Sequence, residues 1–316
     1  MPKVSICVPV YNNVKEVKRL LDSIREQTYT DYEVNITDDS DGTEIEELVS
    51  GLSDERIRYV HNERKLGHIF NWNAAIAQAR GEYVKIMFSD DWFTYPESLA
   101  KLVKLLDENP EAGLAFSNSM QVSEKESYKR KVSEDFIPRL REDWRNLFLG
   151  NEIGAPSDTI YRNNGTMFDE KSNWASDMVL YLRLLSQNPR FVYTDMPLVS
   201  IGMHGEQYTH SFSDRDDRIF NDYLYMYETY HLKENERCRE FFLREYIIKF
   251  GRGRKLAKSC GISGWDFYHA KLRYFWHDIL PSLCRAVLRK LGLCRGTKEK
   301  ETKENGDGKR EKEKSS

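Results

Sequence analysis

Near the start of the chain, Val4, Ile6, Val8 and Val10 alternate with polar or small residues. That period of two predicts a strand. Asn13 and Glu16 form a capping-type pair, and Val14, Val17, Leu20, Leu21 and Ile24 then share one face, which predicts a helix. Tyr32, Val34 and Ile36 alternate again and run into the acidic turn TDDSDGT. A short strand is predicted at Ile57–Val60 and a helix over Gly67–Ala79. Another strand is predicted at Tyr83–Phe88, closing on Ser89-Asp90-Asp91. Pro96 stands at a helix start, with Leu99, Leu102, Val103 and Leu106 on its apolar face, and Gly113–Ser119 reads as strand. Strands alternating with helices predict a largely parallel sheet covered on both faces.

Beyond residue 120 the pattern loosens. Asn151–Arg162 is turn-rich and then extended, Asp177–Ser186 predicts an amphipathic helix, and Phe191–Ile201 is extended. From Asp214 to Phe250 the chain is helical in pattern and rich in Tyr and Phe. Ile279, Leu280, Leu283, Cys284, Val287, Leu288 and Leu291 fall on one helical stripe. Lys271, Arg273, Arg285, Arg289, Lys290 and Arg295 surround it against a single acid, Asp278, with Tyr274 and Trp276 just upstream. A basic amphipathic helix of this kind lies either on an anionic leaflet or against the protein's own core. The last residues, 296–316, form a Lys/Glu tract without a large apolar side chain and are expected to stay disordered. The expected division is therefore 1–212, an α/β domain; 213–295, a helical extension; and 296–316, a charged tail.

Composition narrows the function classes. The 316 residues carry 48 basic and 51 acidic side chains, a net charge of -3, which argues against a dedicated nucleic-acid binder. No apolar run approaches the roughly 20 residues of a membrane span, and the N-terminus lacks a signal-peptide core. The five cysteines form no CxxC pair and read as reduced thiols of a cytoplasmic protein. There is no GxGxxG after the first strand, no GxxxxGK[ST] and no GxSxG. Dinucleotide oxidoreductases, P-loop enzymes and serine hydrolases of the elbow type are disfavoured accordingly.

Two acidic clusters remain, and both close predicted strands: Asp38-Asp39-Ser40-Asp41 and Asp90-Asp91. Ligands of parallel α/β sheets bind beyond the carboxyl ends of strands, and acids are costly to pack there unless they bind something. A hard divalent cation suits the second pair, though helix capping would use the same residues.

The opening VSICVPVYNN, the turn TDDSDGTEIEEL, the segment HNERKLGHIFNWNAAIAQARGEYVKIMFSDDW and the later WASDMVLYLRLL occur in an order and spacing that resemble a family 2 glycosyltransferase. The resemblance covers about residues 3–205. It implies a GT-A fold: Rossmann-like α/β, a mostly parallel central sheet with helices on both faces, here followed by the C-terminal helical extension. It also implies transfer from a nucleoside-diphosphate sugar, with a UDP-sugar favoured, to a glycan or lipid-linked acceptor.

The same resemblance assigns roles. Pro9, Val10 and Tyr11 match the loop that lines the nucleobase pocket, and Asp39 best matches the acid that contacts the base. The turn is shuffled relative to the family's usual wording, so Asp38 and Asp41 remain alternatives. Gly67 and Asn73 fall in the segment that closes over the nucleotide, with Arg64 or Lys65 facing base, phosphate or solvent. Ser89-Asp90-Asp91 matches the metal motif, with Phe88 where many members carry another Asp. Asp91 is the implied ligand of Mn²⁺ or Mg²⁺, and Asp90 the contact to ribose or sugar. Asp177 matches the catalytic base, and His204 a histidine that reaches the metal or diphosphate in some relatives. Trp174 and Tyr161 are either an acceptor platform or core. The implied chemistry is inverting displacement. Peripheral contact with the inner face of a membrane, through 274–293, is the expectation that follows from a lipid-linked acceptor. A sugar nucleotidyltransferase and a non-catalytic sugar-nucleotide or glycan-binding module are the rival readings.

Overall fold

The computed structural model describes residues 1–203 and 216–290. His204 and the charged tail lie outside these described residues. The chain divides into two compact units, Met1–Ile262 and Ser263–Ser316.

The first unit opens with β1 (Val4–Val10), α1 (Val14–Arg25), β2 (Tyr32–Asp38), α2 (Glu44–Ser50), β3 (Ile57–His61), α3 (His68–Ala77) and β4 (Tyr83–Ile86). There follow β5 (Trp92–Phe93), α4 (Ser98–Asp107), β6 (Leu114–Val122), β7 (Ser127–Lys129), α5 (Phe136–Glu142), β8 (Thr159–Arg162), α6 (Ser176–Gln187) and β9 (Phe191–Gly202). Later in the unit come α7 (Asp217–Thr229), α8 (Glu236–Phe242), a π-helical turn at Leu243–Ile248 and α9 (Arg254–Ser259). The strands form one sheet in the order β3-β2-β1-β4-β8-β6-β9-β5, with β7 on β6. Strands β1 to β4, β6 and β9 run one way; β5, β7 and β8 run against them.

The period of two in β1 is used as the sequence predicts. Val4, Ile6, Val8 and Val10 join Leu20, Leu21 and Ile24 of α1 and Leu99, Leu102 and Leu106 of α4 in one fully buried core. The intervening positions face the other side, where Ser5 Oγ accepts the backbone N–H of Arg80 (3.0 Å) and Gly81 (2.8 Å), just past α3. Helices thus cover both faces of the sheet.

Two local expectations differ. Asn13 precedes α1 but sits in the left-handed region with Asn12, at φ 58° and 56°, and makes no capping hydrogen bond. Asparagine tolerates that conformation, and the turn is held from outside, by the Asn12 N–H donating to Ser40 Oγ at 2.6 Å. Strand β4 ends before Phe88 because the Phe88 N–H leaves the sheet and donates to Ser157 Oγ (3.0 Å).

The first unit also runs well past the boundary expected at residue 212. The aromatic residues of α7 and α8 account for this. Phe148 packs against Tyr223, Tyr227 and Phe242, and Tyr227 stacks on Phe242 with ring centroids 4.3 Å apart. Such rings each bury a large apolar area, so these helices share a core with the segment 144–149. The second unit is helical: α10 (Gly264–Tyr274), a π turn at Phe275–Ile279, and α11 (Leu280–Lys290).

Candidate active site

Strands β1, β2 and β4 end side by side, and the connection order reverses between β1 and β4. A crevice is expected at that reversal. A cavity of about 560 Å³ opens there, lined among others by Pro9, Val10, Tyr11, Asp39, Gly67, Asp90, Asp91, Trp174 and Asp177. Most of the residues expected from sequence therefore meet in one place.

The acidic turn resolves into three different roles. Asp38 is fully buried and turned inward, accepting from Tyr59 Oη (2.7 Å) and from the Ser40 N–H (2.8 Å). Asp41 is exposed and pairs with Lys65 (2.8 Å). Asp39 lines the cavity. Its Oδ1 accepts from Asn62 Nδ2 (3.0 Å) and the Leu66 N–H (2.8 Å), and its Oδ2 from the Gly67 N–H (2.8 Å). One carboxylate thus shapes the loop that precedes α3. Gly67 has φ 82°, which favours glycine, and leaves open space where a Cβ would stand. Lys65, bonded to Tyr11 Oη (3.2 Å) as well as Asp41, ties the two rims of the cavity together.

Asn73 does not line the cavity. Its amide makes a reciprocal pair with the Phe168 backbone, 3.0 Å to the carbonyl and 2.9 Å from the N–H. The inward residues of α3 are instead His68, Asn71 and Trp72. Asn71 spans the base of the pocket, donating to the Val10 carbonyl (3.1 Å) and accepting from Asn62 (2.9 Å). Trp72 packs between Phe88 and Phe168, each 4.8 Å away by centroid. Phe88, where an additional acid was a family expectation, is thereby an apolar wall of the cavity. Tyr161 is core, fully buried with its hydroxyl on the Thr166 carbonyl (3.3 Å).

Asp91 is 2% exposed and accepts from the Gly202 N–H at 3.3 Å. Burial pushes its pKa up, and the like charges of Asp90 and Asp158 add to the push, while a hydrogen bond from Ser157 opposes it. The Asp90 carbonyl accepts from Arg19 (2.7 Å), whose guanidinium lies 3.8 Å from the Trp92 ring. Strand β9 crosses so close to this turn that a Cβ on Gly202 would come within 2.5 Å of the Asp90 carbonyl oxygen.

Beneath the pair lies a charged group that the sequence did not single out. Lys85 of β4 is fully buried and donates to the Ser157 carbonyl. Burial draws its pKa down to about 7, against the opposing influence of Asp158 and Asp91. Asp158 is also fully buried and is pushed up to about 6, with Arg130 (3.3 Å), Lys85 and Ser119 (3.1 Å) pulling the other way.

A small divalent cation is commonly held by one or two carboxylates, with substrate phosphates completing its shell. Asp91 and Asp90 offer that donor set at the cavity wall. The crowding of the buried Asp91 carboxylate by like charge is what a cation would relieve. No group of three or more His, Cys, Asp or Glu among the described residues is placed to hold a metal by itself.

Asp177 begins α6. Its Oδ2 accepts from Asn151 Nδ2 (2.7 Å) and its Oδ1 from the Met178 N–H (2.7 Å). Burial nevertheless pushes its pKa up to about 6. Asn151 is in turn fixed by the turn 151–154, its Oδ1 accepting the Ile153 N–H at 3.1 Å. The loop before α6 is held from a distant helix. Asp222 of α7, 1% exposed, accepts the backbone N–H groups of Asn173, Trp174 (2.7 Å) and Ala175 (2.9 Å). Neither Asn151 nor Asp222 carries a local sequence signal. Each is a single polar residue, and only the fold brings it to Asp177 or its loop.

Residues 5–166, half of the chain, match the family model described as glycosyl transferase family 2. The chain belongs to that family. This family 2 chain is 26% identical over 247 residues to a protein of Escherichia coli (strain K12) named for colanic acid biosynthesis, the glycosyl transferase WcaA. The match covers 77% of this chain and 86% of that protein. A Campylobacter jejuni protein named GalNAc(5)-diNAcBac-PP-undecaprenol beta-1,3-glucosyltransferase is 24% identical over 279 residues, covering 82% and 87% of the two. Among solved structures, S. aureus TarS 1-349 in complex with UDP-GlcNAc superposes with a TM-score of 0.61 at 20% identity, covering 85% of this chain and 79% of that one. A Pyrobaculum calidifontis mannosyltransferase in complex with GDP-Man and Mn²⁺ gives 0.52 at 18% identity, with 93% and 81% covered. The fold is GT-A, and the family 2 chain is a glycosyltransferase of the nucleotide-sugar-dependent kind.

Proposed function

We propose that this enzyme transfers a sugar, with inversion, from a UDP-sugar or related nucleoside-diphosphate sugar to the hydroxyl of a glycan or lipid-linked acceptor in polysaccharide assembly. The observation that carries this reading is the meeting of Tyr11, Asp39, Asp90, Asp91 and Asp177 in one cavity, with Asp177 pushed up to about 6. The C. jejuni relative, named for an undecaprenol-linked substrate, and the UDP-GlcNAc complex of TarS support the acceptor and donor classes.

In this reading Pro9, Val10, Tyr11 and Asp39 receive the nucleobase, and Gly67 lets the loop before α3 approach the nucleotide. Asp90 meets the ribose or sugar. Asp91, with Asp90, holds Mn²⁺ or Mg²⁺, which when bound supplies Lewis-acid neutralisation of the departing diphosphate. Asp177 takes the proton from the acceptor hydroxyl as oxygen attacks the anomeric carbon, and Asn151 keeps the carboxylate aimed. A positioned base contributes roughly 10²–10⁴-fold. A proton affinity near pH 6 leaves Asp177 ionised at neutral pH while keeping it more basic than an ordinary aspartate. Trp174, at the cavity rim beside Asp177, offers a ring face to the acceptor.

The test is a hydrolysis and transfer screen over a panel of nucleotide sugars with Mn²⁺ present. Consumption of one donor, lost in Asp177→Asn while nucleotide binding persists, is the expected result. Tight donor binding without turnover across the panel and a matched set of acceptors would overturn it.

A further inference from the structure

The second unit carries an apolar stripe on an almost unbroken helix. From Gly264 to Lys290 the backbone stays helical through α10, the π turn and α11. Trp265, Leu272, Trp276, Leu283 and Val287 are 78%, 57%, 56%, 52% and 54% exposed, at intervals compatible with one side of a helix. Single exposed apolar residues need no explanation, but a contiguous stripe marks an interaction surface. At 1.5 Å per residue it is about 33 Å long.

Cations border it. Lys271 and Arg273 stand one residue either side of Leu272, about 100° to the left and right of the stripe, whereas Arg285, two residues from both Leu283 and Val287, lies on the far side of the helix. All three are exposed. A second copy of the chain on this stripe would bring like charges to both sides of the seam. An anionic headgroup layer meets the same charges with opposite sign. Tryptophan favours that layer, where its ring is buried and its N–H stays wet. No helix among the described residues is long and apolar enough to cross a bilayer, so the stripe suits the surface plane and not a span.

We propose that the Trp265–Val287 face lies in the headgroup region of an anionic bilayer. It begins nine residues before the 274–293 segment expected from sequence, because Trp265 and Leu272 extend the stripe across α10. The contact stands independently of which donor or acceptor the enzyme uses.

Co-sedimentation of the full-length protein with vesicles of mixed phosphatidylglycerol and phosphatidylcholine tests it. Binding is expected to the mixed vesicles, to weaken with salt, and to be far lower on phosphatidylcholine alone. Each of Lys271→Gln and Arg273→Gln should lower partition about fivefold, and Arg285→Gln, on the far side of the helix, much less. The double variant Trp276→Ser with Leu283→Ser should abolish it, with an unchanged circular dichroism melt showing an intact fold. Wild-type protein left in the supernatant, or Lys271→Gln, Arg273→Gln and double variants that bind as well as wild type, would overturn the proposal. So would a dimer, broken by Trp276→Ser with Leu283→Ser, in protein that ignores vesicles.

Discussion

Asp39 and Asp177 line the same cavity, yet the two are held in opposite ways. Asp39 accepts from three donors, two of them backbone N–H groups of the loop it shapes, and sits at the end of a strand inside the sheet. Asp177 receives one side-chain amide and the N–H of its neighbour, at the start of a helix whose approach loop is fixed by another helix. A carboxylate committed to backbone N–H groups serves as a fixed element of shape and recognition. One with fewer donors, pushed up to about 6, keeps proton affinity in reserve, which suits the base proposed for this site. In the proposed mechanism the difference separates binding from chemistry within a single pocket.

The sharpest way to break this comparison is Asp177→Asn. Transfer is expected to fall roughly 10²–10⁴-fold with nucleotide affinity by calorimetry unchanged. A parallel loss of affinity would make Asp177 a binding residue like Asp39. Asp222→Ala comes next. It strips the carboxylate that accepts the N–H groups of 173–175, and the resulting displacement of Asp177 should cost roughly 10–100-fold in kcat, with little change in donor KM. Retained kcat would mean that the loop is held without α7. Asp39→Asn should do the reverse, weakening nucleotide binding by about tenfold while kcat at saturating donor changes little.

A pH profile sharpens the same contrast. With Asp177 near 6, kcat should fall by about tenfold for each pH unit below that value and level off above it. A plateau reaching down to pH 4 would assign the base elsewhere. The smallest effect expected is on stability. A carboxyl whose folded pKa lies above its unfolded value near 3.8 favours the fold fully only below that value, and loses this contribution as pH rises through about 6. Asp177→Asn should therefore be more stable than wild type at neutral pH, by about 1–2 kcal/mol after allowing for partial solvent contact, and no more stable at pH 3. Urea denaturation at both pH values measures it.

Much of the first half was legible because its signals are local. The alternation in β1 and β2 and the apolar face of α1 each read out a period, and the acids at strand ends fall where a parallel sheet must place them. Asp38 and Asp41 stayed open beside Asp39 because three neighbouring carboxylates look alike until Tyr59 and Lys65 claim two of them. Asn73 illustrates the opposite error. It lies in the right helix, but the 100° step between residues turns it towards Phe168 and leaves Asn71 and Trp72 to face the pocket.

By itself the sequence determined the α/β alternation, the family and the positions of Asp39, Asp91 and Asp177, since periodicity and motif spacing are properties of consecutive residues. Only the tertiary structure decided what surrounds those acids. Lys85 and Asp158 share a dry site below Asp91, Asn151 aims Asp177, and Asp222 holds its loop from another helix. Those partners lie far apart along the chain, and the burial that shifts Lys85, Asp158 and Asp177 exists only once the sheet and its helices have excluded water around them.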